Sequence, residues 1–130
     1  MAVGILLVTH PGVGTALLAV ASALLRQLPL VCEAMEVPLD ADPEVQLPLA
    51  SAAMRRVDSG DGVLVLTDLY GATPANIAAR LARLGTPVRR VSALSLPMLL
   101  RVMNYPELAL DEMPAIASAG GRNGVVLDDA

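Results

Sequence analysis

The chain has no lysine, no phenylalanine and no tryptophan, and only one histidine, one cysteine and two tyrosines. Each shortage closes a route. Without lysine there is no Schiff-base chemistry and no P-loop. With so few aromatics there are no stacking platforms for unpaired bases, on which single-strand and RNA readers depend. One cysteine and one histidine make neither an intramolecular disulfide nor a Cys/His zinc site. The basic residues number nine, all arginine, against thirteen acids; a net charge of -4 argues against a nucleic-acid binder. Any imidazole chemistry belongs to His10.

What is present is apolar. Hydrophobic residues make up 55% of 130 residues and charged ones 17%. That suits one domain able to bury about two-thirds of its unfolded surface. Its core must come from Leu, Val, Ala, Ile and Met. Residues 1–25 carry no Asp, Glu, Lys or Arg, which raises a membrane reading. A secretory signal starts with positive charge, however, and the first arginine here is Arg26; only Ala21-Ser22-Ala23 resembles a cleavage site. The stretch is also cut by Pro11, Gly12 and Gly14, and neither half reaches the roughly 20 apolar residues that span a bilayer. A buried strand, a turn and a helix fit better, and a cytoplasmic protein is expected.

The pattern then alternates. Residues 2–8 form a continuous apolar run of strand length, as when both faces of a parallel strand are covered. Leu17, Ala21, Leu24 and Leu28 follow at helical spacing, widened by Leu18 and Leu25. Residues 30–37 read as a second strand and 38–43 as a loop. Leu47, Ala50, Met54 and Val57 mark a second helix ending near Ser59-Gly60. Residues 62–66 read as a third strand. Thr73 is placed as the N-cap of a third helix with Pro74 at its first position, Ile77, Leu81 and Leu84 on its buried face, and Gly85 as its stop. A strand over 88–91, a helix over 96–103 and a last helix over 111–119 ending at Gly120-Gly121 complete the series. Residues 124–127 are a candidate edge strand.

Strand–helix alternation implies an α/β fold: a single domain over residues 1–130, with a doubly wound, mainly parallel sheet and helices on both faces. Right-handed crossovers make 2-1-3-4 the simplest order, and ligands bind such sheets where neighbouring connections leave on opposite faces. That crevice opens at the ends of the first and third strands. His10 lies two residues beyond one and Asp68 two beyond the other. A carboxylate on one ring nitrogen fixes the tautomer and leaves the other nitrogen nucleophilic. The Thr73-Pro74 helix start follows in the same loop, where its free amides would face an anion. A lone histidine at a strand end is more often a packing residue, but these features at one crevice favour phosphoryl transfer through His10.

Gly4-Ile5-Leu6-Leu7-Val8-Thr9-His10 and Leu66-Thr67-Asp68-Leu69-Tyr70-Gly71-Ala72-Thr73-Pro74-Ala75-Asn76 also resemble the IIA component of mannose-family sugar phosphotransferase systems. The segment from Ser92 to Leu100 and the tail from Gly120 to Leu127 extend the likeness over nearly the whole chain. The resemblance implies that His10 takes a phosphoryl group from the phosphocarrier protein HPr and passes it to a IIB component, with Asp68 holding the imidazole. It implies a doubly wound sheet and a homodimer exchanging a C-terminal strand. Contact with the membrane would be indirect, through a permease complex. Pro11 stands where the family commonly has Gly, and Tyr70 where an aromatic such as Trp often stands. The chain is expected to be a stand-alone IIA protein.

On that reading Asp68 holds Nδ1 and Nε2 carries the phosphoryl group. Backbone amides of Gly71, Ala72, Thr73 and Ala75, with the Thr73 hydroxyl, would offset its charge of about -2. No metal or cofactor is needed, because the donor is a protein. Ser92 and Ser95 are candidates to line the crevice, Cys32 a small core residue, and Arg80, Arg83, Arg89 and Arg90 surface residues. A receiver domain fails for want of lysine and of acids after the first strand; a flavodoxin fails for want of aromatics and a Ser/Thr-rich loop. Two alternatives stay open. One is the phosphotransfer subunit of a dihydroxyacetone kinase, and the other a regulatory module whose phosphorylation state controls a partner without sugar transport.

Overall fold

A computed structural model describes residues 2–129. The elements run β1 (Gly4–Thr9), α1 (Val13–Leu25), β2 (Cys32–Glu36), α2 (Pro43–Val57), β3 (Val63–Thr67), α3 (Thr73–Leu81), β4 (Val88–Val91) and α4 (Leu96–Met103). A 3-10 turn at Leu110–Glu112 then leads into α5 (Met113–Asn123). The strands are parallel in the order β2-β1-β3-β4, the doubly wound arrangement that the alternation predicts. Among the described residues, no helix is long and apolar enough to cross a membrane.

The uninterrupted apolar runs follow from coverage on both faces. Ile5, Leu6, Leu7 and Val8 have no exposed surface at all. Ile5 and Leu7, with Leu64 and Leu66, pack with Ala21 of α1, Leu99 of α4 and Met113 of α5. Leu6 and Val8, with Val63 and Val65, pack on the other side with Met54 of α2 and Ile77 and Leu81 of α3. Each such side chain contributes about 1.5–3 kcal/mol on full burial. Aromatic rings are not needed, because two thin layers of branched aliphatics fill the space beside a sheet. Cys32 sits partly buried at the β2 edge, and desolvation, with the nearby Glu33 charge, pushes its thiol up to about 12. It is an inert packing residue, since the reactive form of cysteine is the thiolate.

Several boundaries differ from expectation, each for a local reason. Helix α2 begins at Pro43 because Asp42 accepts the Glu44 N–H at 2.9 Å, so the expected loop is shorter. Leu24 and Leu84 are exposed, at 60% and 48%. Along α1, Gly14 and Ala21 are buried and Leu17, Leu18 and Leu25 half-buried against the core, as is Leu28 beyond its end, so of the expected face Leu24 alone turns outward; α3 ends at Leu81. The N-cap of α3 is Ala72, with Thr73 the first helical residue and Pro74 the second; the Thr73 hydroxyl makes no cap bond. Helix α5 continues through Gly120-Gly121, since a Cβ at Gly120 would lie 2.4 Å from the Arg101 Cβ. There glycine is a close-packing residue against α4, not a stop.

The candidate edge strand at residues 124–127 is not formed. Gly124 donates to the Gly120 carbonyl at 3.0 Å and Val125 to that of Arg122 at 3.2 Å, which continues the helical turn. Val125, Val126 and Leu127 then stand 78%, 69% and 86% exposed. The tail adds no strand to the sheet, whose edge strands are β2 and β4.

Candidate active site

Strands β1 and β3 pair in register, Val8 opposite Thr67, so the chain leaves both at the same height. That pairing brings His10 and Asp68 together across 58 residues of sequence. Asp68 Oδ2 accepts the His10 backbone N–H at 3.0 Å and lies 2.9 Å from Nδ1. With Nδ1 protonated toward the carboxylate, Nε2 carries the free lone pair; this tautomer is assigned from the hydrogen-bond geometry. The imidazole is 29% exposed and the Asp68 side chain 12%, so the ring is reachable while its partner is not.

The second carboxylate oxygen, Oδ1, is buried and takes no donor from the described residues. A buried carboxylate with a single partner is poorly solvated, and positive charge on the facing ring relieves that cost.

The loop between β1 and α1 carries two ties that residue spacing did not reveal. Thr9, fully buried at the end of β1, donates its hydroxyl to the His10 carbonyl at 2.9 Å and accepts the Gly14 N–H at 2.9 Å. Glu36, at the end of β2, is held below the usual carboxylate range by the Gly12 N–H, then by the hydroxyl and N–H of Thr15; partial desolvation opposes them. The N–H groups of Val13 and Gly14 at the start of α1 are thus already taken by the His10 carbonyl and the Thr9 hydroxyl. A polar residue directly before the histidine, with glycines soon after, was the available signal for the first tie. Nothing local announced the second.

Helix α3 offers a different picture. The Ala72 N–H is engaged by the Leu69 carbonyl at 3.3 Å, whereas those of Gly71, Thr73 and Ala75 have no partner among the described residues. Of the four amides expected to face an anion, three are free and one is turned inward. Their loop follows directly from Asp68. Beside it, between α3 and β4, lies a cavity of about 520 Å³ lined in part by Thr67, Tyr70, Gly71, Asn76, Arg90 and Ser92. Thr67 Oγ1 and Ser92 Oγ are 2.8 Å apart on its wall, so Ser92 does line space next to the loop. Ser95 instead caps α4, accepting the Met98 N–H at 3.3 Å.

Surface arginines are paired across elements: Arg80 with Glu44 at 2.6 Å, Arg89 with Asp111 at 3.2 Å, and Arg56 with Glu33. These exposed pairs contribute little each. Among the described residues no group of three or more His, Cys, Asp or Glu is placed to hold a metal ion.

A family model for the PTS system fructose IIA component matches residues 4–117. Among solved structures, the mannose/sorbose specific IIA subunit of the phosphotransferase system from Enterococcus faecalis superposes with a TM-score of 0.88 at 22% identity, covering 100% of this chain and 97% of that one. Phosphotransferase system component EIIA from Streptococcus agalactiae gives 0.80 at 21% identity, covering 96% of each. The PTS IIA protein associated with the fucose utilization operon from Streptococcus pneumoniae gives 0.73 at 20%, covering 98% of this chain and 96% of that one. At such identities these structures establish a common fold. A search of curated proteins finds no match.

Proposed function

The chain belongs to the family of PTS system fructose IIA components, and from that premise we propose that it is a phosphoryl carrier working through His10. The reading is carried by one observation above the rest: Asp68 Oδ2 binds both the backbone N–H and Nδ1 of His10, leaving Nε2 of a part-exposed ring without a partner among the described residues. The donor is phospho-HPr and the acceptor a IIB component. Membership implies phosphotransferase activity in general; the direction and partners are our reading.

The Nε2 lone pair attacks the phosphorus of the donor phosphohistidine in line. The donor P–N bond breaks as the new one forms, and the electron pair returns to the donor ring. No proton need move, because Nδ1 keeps its hydrogen against Asp68 while the ring carries positive charge. The free amides of Gly71, Thr73 and Ala75, at the positive end of α3, are suited to the phosphoryl oxygens. The N–H groups of Thr73 and Ala75 are already oriented by the helix and that of Gly71 by the turn before it, so little reorganisation accompanies charge arrival. Transfer to the acceptor reverses these steps. Neither metal nor cofactor enters.

Protein partners require a surface around the histidine. Leu39, Leu69 and Tyr70, in the loops after β2 and β3, are 84%, 59% and 87% exposed at the same end of the sheet as His10. They supply an apolar rim for transient docking. The exposed tail, Val125 to Leu127, and the open edge of β4 suit a homodimer in which tails pair with the partner's sheet. Such a protein works in the cytoplasm, meeting the membrane only through a permease complex.

The test is phosphorylation with phosphoenolpyruvate, enzyme I and HPr, followed by mapping. An acid-labile phosphate on His10, lost in His10→Ala, is expected. Labelling elsewhere, or none, overturns the proposal.

A further inference from the structure

We infer that Thr9 is a positioning residue for His10, its hydroxyl fixing the backbone on the side that Asp68 does not hold. Its functional meaning rests on the phosphoryl-carrier reading above. Thr9 is wholly buried, so its hydroxyl must find its partners inside the protein. It finds two, donating to the His10 carbonyl at 2.9 Å and accepting from the Gly14 N–H at 2.9 Å. The same carbonyl receives the Val13 N–H at 3.3 Å.

On the other side of the His10 Cα, the backbone N–H goes to Asp68 Oδ2 at 3.0 Å. Both peptide groups flanking the histidine are therefore anchored by side chains, one from β1 and one from the loop after β3. Once Nδ1 also rests 2.9 Å from Oδ2, the direction of Nε2 is set. Thr9 is itself rigid, because its carbonyl accepts the Val37 N–H at 2.8 Å and its β-branched side chain has a restricted χ1. Gly14 belongs to the same device: a Cβ there would lie 3.0 Å from Oγ1 and 3.3 Å from Cγ2, and would push the hydroxyl off its carbonyl.

A bare capping role is the competing account, since Gly12, the N-cap of α1, has no side chain to offer and Thr9 bonds the second helical N–H in its place. Capping alone would change stability and leave the imidazole as it is. Positioning moves the imidazole.

The experiment compares Thr9→Val, which removes the hydroxyl at nearly constant volume, with Thr9→Ser, which keeps it. ¹⁵N NMR of the unphosphorylated full chain reads the His10 tautomer and ring titration, and phospho-HPr supplies the phosphoryl group for rate measurements. For Thr9→Val we expect tautomer mixing at His10 and uptake slowed about tenfold to hundredfold, the loss typical of a reacting group displaced by an ångström or less. Thr9→Ser should keep the wild-type ring signals and rate. A folded Thr9→Val with wild-type ring signals, whatever its melting temperature, overturns the inference. Should Thr9→Val not fold, Gly14→Ala decides: it must shift the same ring signals, and wild-type signals in that folded variant also overturn the inference. The ring measurement needs no phosphoryl donor, so it stands even if the wild type is not labelled.

Discussion

Asp68 holds His10 twice through a single oxygen, taking its backbone N–H at 3.0 Å and Nδ1 at 2.9 Å on Oδ2 while Oδ1 lies buried without a donor among the described residues. One atom thus holds both the backbone and the ring of the histidine. The carboxylate is under-solvated by this arrangement, and the charge it cannot share elsewhere is directed at the imidazole.

Asp68→Asn should separate these effects. The amide keeps the shape but not the charge, and a hydrogen bond to an ionised group contributes about 1.5–3 kcal/mol, so transfer should slow about tenfold to hundredfold. Because the buried Oδ1 charge disappears, thermal stability should hold or rise. Stopped-flow phosphoryl transfer and a melting curve check the pair. Unchanged rates would remove Asp68 from the mechanism.

Thr73 tests the anion cradle. Its hydroxyl caps nothing, so Thr73→Val should leave the melting temperature of the protein almost unchanged. Losing one hydrogen bond to a charged group should slow phosphoryl uptake by about tenfold or more. Equal rates would confine the cradle to the backbone amides of Gly71, Thr73 and Ala75.

Glu36 gives a pH dependence with a defined sign. Its folded carboxyl lies below its ordinary 4.5 because Gly12 and Thr15 donate to it, so it stabilises the fold above that value and loses the effect as acid protonates it. Glu36→Gln should melt lower than wild type at neutral pH, and the gap should close in acid below the usual carboxylate range. A gap constant from neutral to acid pH would contradict the tie to α1.

Gly120→Ala should destabilise by about 1–3 kcal/mol, the usual cost of forcing a methyl group into filled space. The added Cβ would meet the Arg101 Cβ at 2.4 Å, between the backbones of α4 and α5. Chemical denaturation measures it, and a neutral result would mean that these helices separate easily.

The proposed homodimer can be tested at the tail. Removing the chain from Val125 onward should convert a dimer into a monomer in light scattering at micromolar concentration, with His10 still in place. A full-length chain that scatters as a monomer under those conditions would remove the exchanged-tail picture.

Much of this was legible in the residues. The run from Gly4 to Val8, the breaks at Pro11 and Gly12 and the repeats in α1 and α2 are local signals, and they gave the element order and the 2-1-3-4 sheet. His10 and Asp68 could be placed together because parallel strands with right-handed crossovers end at the same rim. The errors were local too, but of another kind. Periodicity shows that Leu24 and Leu84 could face inward, yet burial depends on what packs above them. Gly120 looks like a stop until α4 lies against it. Residues 124–127 look like a strand, but an edge to pair with is not a property of the tail.

The sequence by itself determined the fold class and the only imidazole available for chemistry, since both follow from residue type and spacing along one chain. The tertiary structure decided which atoms serve that imidazole. Thr9 turning its hydroxyl onto the His10 carbonyl, Glu36 reaching the start of α1, and Ala72 turning its N–H inward while Thr73 stays free all depend on strand register and helix placement. Hydrogen bonds are set to within a few tenths of an ångström, and only the packed chain fixes distances that finely.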